Sequence, residues 1–182
     1  MTPMDVLGVR VELPTNQPIV LLRERGGRRH LPIWIGAAEA SAIAFAQQGI
    51  TPPRPLTHDL LADVVTALGH AVESVRITGL VDGAFHAVLV LRSSEGERVE
   101  VDSRSSDAIA LALRTGATIE ATEDLLAEAG IEVDDEGEGS SGTSGDDGPG
   151  PGMSEDVLAE FKEFIDSVSP EDFETDGPPA AS

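Results

Sequence analysis

The feature that most limits what this chain can fold into is a break in its composition after Val133. From Asp134 to Gly152 the residues are Gly, Ser, Thr, Asp, Glu and Pro, with no large apolar side chain. Such a stretch buries too little surface to offset the entropy lost on ordering, so it reads as a disordered linker. Charge follows the same boundary. Residues 1–133 carry 11 basic and 18 acidic side chains, a net −7, whereas residues 134–182 carry Lys162 against 15 acidic side chains, a net −14. The chain therefore divides into a domain at 1–133, a linker at 134–152 and an acidic tail at 153–182. Within the tail, Val157, Leu158, Phe161, Phe164, Ile165 and Val168 share one face of a short amphipathic helix at about 154–168. A helix of that length is marginal by itself in water, so it is expected to fold against a partner or against the domain.

Within 1–133 the hydrophobic period switches between two and 3.6. Residues 5–13 alternate as a strand, with Leu7, Val9, Val11 and Leu13 on one face. Strands at 18–25 and 28–35 flank Gly26-Gly27, both expected at positive φ in a tight turn. Pro32 has no N–H to donate, which favours an edge or a bulge. Helices follow from Ala37 to a stop at Gly49, and from Thr57, the expected N-cap, to Gly69. Strands at 71–81 and 84–93 are joined by Asp82-Gly83, and a third follows at 97–102. An almost wholly apolar helix at 106–114, a strand at 118–121 and a helix at 123–129 complete the domain. The hairpins imply antiparallel pairing, so the fold class is α+β: a mainly antiparallel, strongly curved sheet with a few short helices.

Several function classes drop out. Without cysteine there is no disulfide, thiolate zinc site or thiol nucleophile. No run of ~18 apolar residues is present to span a bilayer. The N-terminus lacks the basic and apolar regions of a signal peptide, so a cytoplasmic location is expected. Duplex-binding domains usually carry a basic face. Here the one local basic patch is Arg23, Arg25, Arg28 and Arg29 around the first hairpin. Trp34 reads as a core or interface residue.

Three segments place polar residues where the chain enters a helix: 31–40, 53–61 and 101–112. Helix N-termini offer unpaired N–H groups and a positive dipole end, which suit anions. Their blocks are Trp34-Ile35-Gly36-x-x-Glu39-Ala40, Arg54-Pro55-x-Thr57-His58-Asp59-Leu60 and Asp102-x-Arg104-x-Ser106-Asp107-Ala108-Ile109. In this order and spacing they resemble the bacterial bifunctional nuclease domain family, over about residues 4–130. The family pattern usually has Ala and Pro where Ser103 and Ser105 stand here. The resemblance implies DNase and RNase activity on nucleic acid, and assembly into homo-oligomers.

Phosphodiester hydrolysis needs an activated water and charge relief on the phosphate. Glu39, Asp59, Asp102 and Asp107 are candidate catalytic carboxylates and candidate ligands for Mg²⁺ or Mn²⁺. His58 is the candidate general acid or base. Arg54, Arg104 and Ser106 are candidates for holding substrate phosphate. Each also has a structural reading: Glu39, Asp59 and Asp107 suit the first turn of a helix, and Asp102 with Arg104 would fix a strand-to-helix turn. The expected activity is therefore a metal-assisted nuclease of low sequence specificity. The alternative is a non-catalytic oligomeric scaffold whose tail, residues 154–173, recruits a protein partner. The acidic tail could also mimic nucleic acid and occupy a basic site in the same molecule.

Overall fold

The computed structural model describes residues 1–12 and 15–132. The linker and the tail helix expected from the sequence lie outside the described residues. In chain order the elements are β1 (Thr2–Glu12), β2 (Gln17–Glu24), β3 (Arg29–Trp34), α1 (Ala37–Gln47), α2 (Thr57–Ala67), β4 (His70–Val81), β5 (Ala84–Ser93), β6 (Arg98–Arg104), α3 (Ser105–Thr115), β7 (Thr118–Ala121), α4 (Glu123–Ala129) and β8 (Ile131–Glu132).

The eight strands form one sheet in the order β6-β5-β4-β7-β1-β2-β3-β8. Every pairing is antiparallel except β4 with β7. The fold is thus α+β with a mixed, mostly antiparallel sheet. The parallel pair forms because β5, β6 and α3 lie between β4 and β7 in the chain, long enough for a crossover. The expected hairpins are present. Asp82 and Gly83 both sit at positive φ (51° and 78°), whereas in the Gly26-Gly27 turn only Gly26 does (79°). Strand β8 pairs only with Arg29 and His30, which leaves Pro32 on an open edge.

Two local readings change in the folded chain. A register shift between Val6 and Gly8 inserts Leu7 as a bulge in β1. Val6 and Val9 therefore both pack on the core while Leu7 is exposed, which breaks the alternation that placed Leu7 with Val9. At α2, Leu56 rather than Thr57 is the N-cap. The Asp59 carboxylate reaches back to accept the Leu56 N–H at 2.9 Å, so the acid at the third helical position replaces a hydroxyl cap.

Helix α3 organises the core. Ala108, Ile109, Ala110, Leu111 and Ala112 are all buried, because α1, α2, β4 and β5 surround the helix. Its alanines let neighbours approach closely, and Ile109 and Leu111 pack with Leu22, Ile33, Val75 and Ile77 of the sheet. Burying a side chain of this size contributes about 1.5–3 kcal/mol. This helix fixes the site, because its first turn carries Asp107 and its last turn Arg114.

Candidate active site at the helix entrances

The three sequence blocks converge on one cleft of about 610 Å³, whose lining includes Glu39 of α1, His58 of α2, and Arg104, Asp107 and Arg114 around α3. Each polar residue arrives for a local reason. Arg104 ends β6 and is the N-cap of α3, so the strand delivers its guanidinium to the start of the helix. Asp107 lies in the first turn of α3, where a carboxylate complements the dipole. Glu39 has the same place in α1. Its carboxylate folds back over Gly36, where an added Cβ would collide with it.

Arg104 joins the acids. Its Nε donates to Asp107 Oδ2 at 2.7 Å and its Nη2 to Oδ1 at 3.0 Å, while Nη1 donates to Glu39 Oε1 at 2.9 Å. The guanidinium remains 66% exposed, with N–H groups left over for a ligand. His58 Nε2 lies 3.1 Å from Asp107 Oδ1, and the ring is 14% exposed. The Arg104 guanidinium holds the Asp107 carboxyl below the usual Asp range; burial opposes this, and the bond to His58 adds to it. Against an ionised acceptor, Nε2 is the protonated nitrogen and donates, which leaves Nδ1 as the basic atom of the ring.

A second cleft of about 500 Å³ lies alongside, lined in part by Ile50, Pro52, Pro55, Asp59, Asp63 and Arg114. Arg114 lines both clefts and is only 10% exposed. Its Nε donates to Asp59 Oδ1 at 2.5 Å and its Nη1 to the carbonyls of Ala42 and Ala110. Arg114, with the Leu56 N–H behind it, lowers the pKa of Asp59. Nothing in the sequence blocks singled out Arg114. Its one local signal was an arginine closing an otherwise apolar helix.

The other candidates are not in the first cleft. Asp102 lies opposite Val88 on β6, facing away from the helices because strand side chains alternate, and it makes no hydrogen bond or ion pair among the described residues. Arg54 is exposed on the α1–α2 loop and lines neither cleft. Ser106 is buried and lines neither. Among the described residues no group of three or more His, Asp or Glu side chains is placed to hold a metal ion. Glu39 and Asp107 meet only through Arg104, whose guanidinium stands between them as a cation would. As arranged, the four carboxylates do not fit Mg²⁺ or Mn²⁺.

Outside the cleft, Trp34 is half exposed and donates from Nε1 to Glu12 Oε2 at 2.8 Å, so it is not a core residue. The basic hairpin is largely neutralised: Arg25 pairs with Asp5, Arg29 with Glu24 and Glu123, and Arg28 with Glu132. No helix among the described residues is long and apolar enough to cross a membrane.

Fold and site together define an α+β domain with an Arg–carboxylate–His cleft at the entrances of three helices. The bifunctional nuclease domain family matches residues 20–134, and the chain belongs to that family. The chain is 48% identical to the Uncharacterized protein Rv1829 of Mycobacterium tuberculosis over 173 residues, 95% of this chain and 98% of that protein. It is 33% identical to Bifunctional nuclease 2 of Arabidopsis thaliana over 142 residues, 75% of this chain and 43% of that protein. To Bifunctional nuclease 1 of Oryza sativa subsp. indica it is 31% identical over 130 residues, 70% of this chain and 39% of that protein. The chain thus spans less than half the length of these plant relatives.

Proposed function

We propose that this protein is a nuclease that cleaves phosphodiester bonds of DNA or RNA in the cleft of Glu39, His58, Arg104 and Asp107, with low sequence specificity. The observation that carries this reading is the His58–Asp107–Arg104 chain of hydrogen bonds opening on a cleft. The free N–H groups of Arg104 hold a phosphate oxygen and offset charge as the phosphorus becomes five-coordinate. His58 takes a proton from the attacking water through Nδ1 as the new P–O bond forms, and the old P–O bond breaks with its electrons on the leaving oxygen. Asp107 orients the ring and stabilises the imidazolium that results, and Glu39 fixes Arg104. Glu39 and Asp107 offset the charge of Arg104, so what the clamp offers an anionic strand is its remaining N–H donors rather than net positive charge.

A divalent ion on Glu39 and Asp107 would require Arg104 to leave both carboxylates, so no step is routed through a metal. The test is cleavage of single-stranded DNA and RNA by the full chain, in chelator and with Mg²⁺ or Mn²⁺ added. Activity that His58→Ala and Arg104→Ala abolish supports the site. Cleavage that both variants leave unchanged overturns it, and inactivity under every condition overturns the enzyme reading.

A further inference from the structure

The second cleft carries polar groups that the chemistry in the first does not use. The two clefts adjoin, because Arg114 and Pro55 line both. One wall of the second is the loop between α1 and α2, from which Ile50, Pro52 and Pro55 line it. Ile50 is half exposed there. Proline rings fix their own φ, so this wall is formed before any ligand arrives. A volume of about 500 Å³ falls within the roughly 300–1,000 Å³ of small-molecule sites, which combine apolar walls with a few placed polar groups.

The hydrogen bonds show which polar groups are free. Asp59 is fully engaged: Oδ1 accepts from Arg114 Nε and Oδ2 from the Leu56 N–H. Asp63 lies one turn further along α2 and also lines the cleft. It makes no hydrogen bond or ion pair among the described residues. Residues four apart on a helix share a face, so Asp63 stands on the Arg114 side of α2. Arg114 is only 10% exposed, with Nε and Nη1 bonded to Asp59, Ala42 and Ala110. Its Nη2 has no partner among the described residues, yet it is not among their sealed, unpartnered atoms. A buried guanidinium therefore keeps one nitrogen open at the junction of the two clefts it lines. The second cleft thus offers free acceptors on Asp63 and free donors on Arg114, between apolar walls.

Resting on the nuclease reading above, we infer that the second cleft takes a guanine base of the strand whose phosphate lies in the first. An ionised Asp only accepts. The Watson–Crick edge of guanine presents N1–H and N2–H side by side, and two parallel donors match the two oxygens of a carboxylate. The adjoining O6 is an acceptor, which suits the donors of Arg114 Nη2. No other base meets both demands. Adenine and cytosine place a ring-nitrogen acceptor beside the amino group, and uracil and thymine flank their one N–H with carbonyls. Each sets a lone pair against Asp63. The rings of Pro52 and Pro55 and the Ile50 side chain cover the apolar face of the base. Unstacked bases of single strands are read on these edges. One base read in this way leaves the rest of the strand unread, so specificity stays low overall.

The full chain is titrated calorimetrically with guanosine, adenosine, cytidine and uridine 5′-monophosphates. The guanosine nucleotide is expected to bind at least about tenfold more tightly than the others. Asp63 is exposed and bonds to no other described residue, so Asp63→Asn should fold as wild type does. A carboxamide pairs bidentately with adenine. Asp63→Asn is therefore expected to lose about tenfold for the guanosine nucleotide and to prefer the adenosine one. A merely structural Asp63 would not produce that reversal. Cut ends of a random-sequence single-stranded RNA should show guanine enriched at one fixed position from the cut in wild type, and adenine in the variant. Equal binding of all four nucleotides, or an unchanged order in Asp63→Asn, overturns the guanine site. Guanine-selective binding with no positional bias in the cuts means that the cleft takes a free nucleotide, and overturns the link to the strand. Guanine-selective binding that Asp63→Asn reverses, in a chain that cleaves nothing, retains the guanine site and overturns the nuclease reading alone.

Discussion

The domain builds one arrangement twice, with different consequences. In each case an arginine binds one carboxylate through two nitrogens and reaches a second from a distant element. Arg104 takes Asp107 and Glu39; Arg29 takes Glu24 and Glu123. Arg29 is 24% exposed, and its carboxylates are completed by Thr2, whose hydroxyl donates to Glu123. That cluster ties β1, β2, β3 and α4 together and has no histidine. The Arg104 cluster adds His58 and opens on a cleft. An ion-pair motif is therefore not by itself a site. Spare donors, a titratable partner and room for a substrate separate the two.

The sharpest way to break the comparison is to remove the group that only one cluster has. His58→Ala is expected to lower kcat/KM for a single-stranded substrate by about 10²–10⁴-fold, the range for a general acid–base residue. Its melting temperature should stay near wild type, because Asp107 is the ring's one hydrogen-bond partner among the described residues. Arg29→Ala should do the reverse, lowering the melting temperature and leaving kcat/KM within about twofold. A large activity loss in Arg29→Ala would erase the distinction.

Arg114 tests whether burial alone makes an arginine structural. Arg114→Ala leaves Asp59 and two backbone carbonyls without their donor, so it is expected to cost about 3 kcal/mol in urea unfolding. A variant as stable as wild type would mean that water replaces the guanidinium. Arg104→Lys retains charge but loses the two-nitrogen grip on Asp107, and should reduce kcat/KM about tenfold with little change in stability.

The smallest expected effect is on acid stability. Arg29, with help from Thr2, lowers the Glu123 pKa from 4.5 to about 2. A carboxylate depressed on folding stabilises fully above its unfolded value and loses that contribution as pH falls through the folded one. The Arg29 cluster therefore stabilises the domain above about pH 4.5 and fades on acidification towards pH 2. The wild-type advantage over Glu123→Gln in thermal melts should shrink over that window. Asp107 is depressed too, so activity lost between about pH 7 and 5 reports on a group other than Asp107.

Much of the local architecture was legible in the residues. Asp82-Gly83 prescribed its hairpin, and the apolar run after Ser106 prescribed a buried helix, because turn chemistry and period depend on near neighbours. The bulge at Leu7 was not, since alternation continues through it and only pairing with Leu22 and Leu21 reveals the extra residue. The helix-entrance blocks offered Glu39, His58, Arg104 and Asp107 as candidates, and the fold lines one cleft with them. They also named Asp102, Arg54 and Ser106, which strand alternation, an exposed loop and burial keep outside it.

By itself the sequence determined where elements start and stop, which stretch past Val133 lacks the side chains for a core, and which polar residues stand at helix entrances. These follow from local sterics, hydrogen bonding and hydrophobic period. Only the tertiary structure decided that His58 meets Asp107 across 49 residues, Arg104 meets Glu39 across 65, and Arg114 meets Asp59 across 55. Those meetings depend on packing α3 between α1, α2 and the sheet, and on the β4–β7 crossover. Long-range burial sets that arrangement, and no short stretch of sequence encodes it.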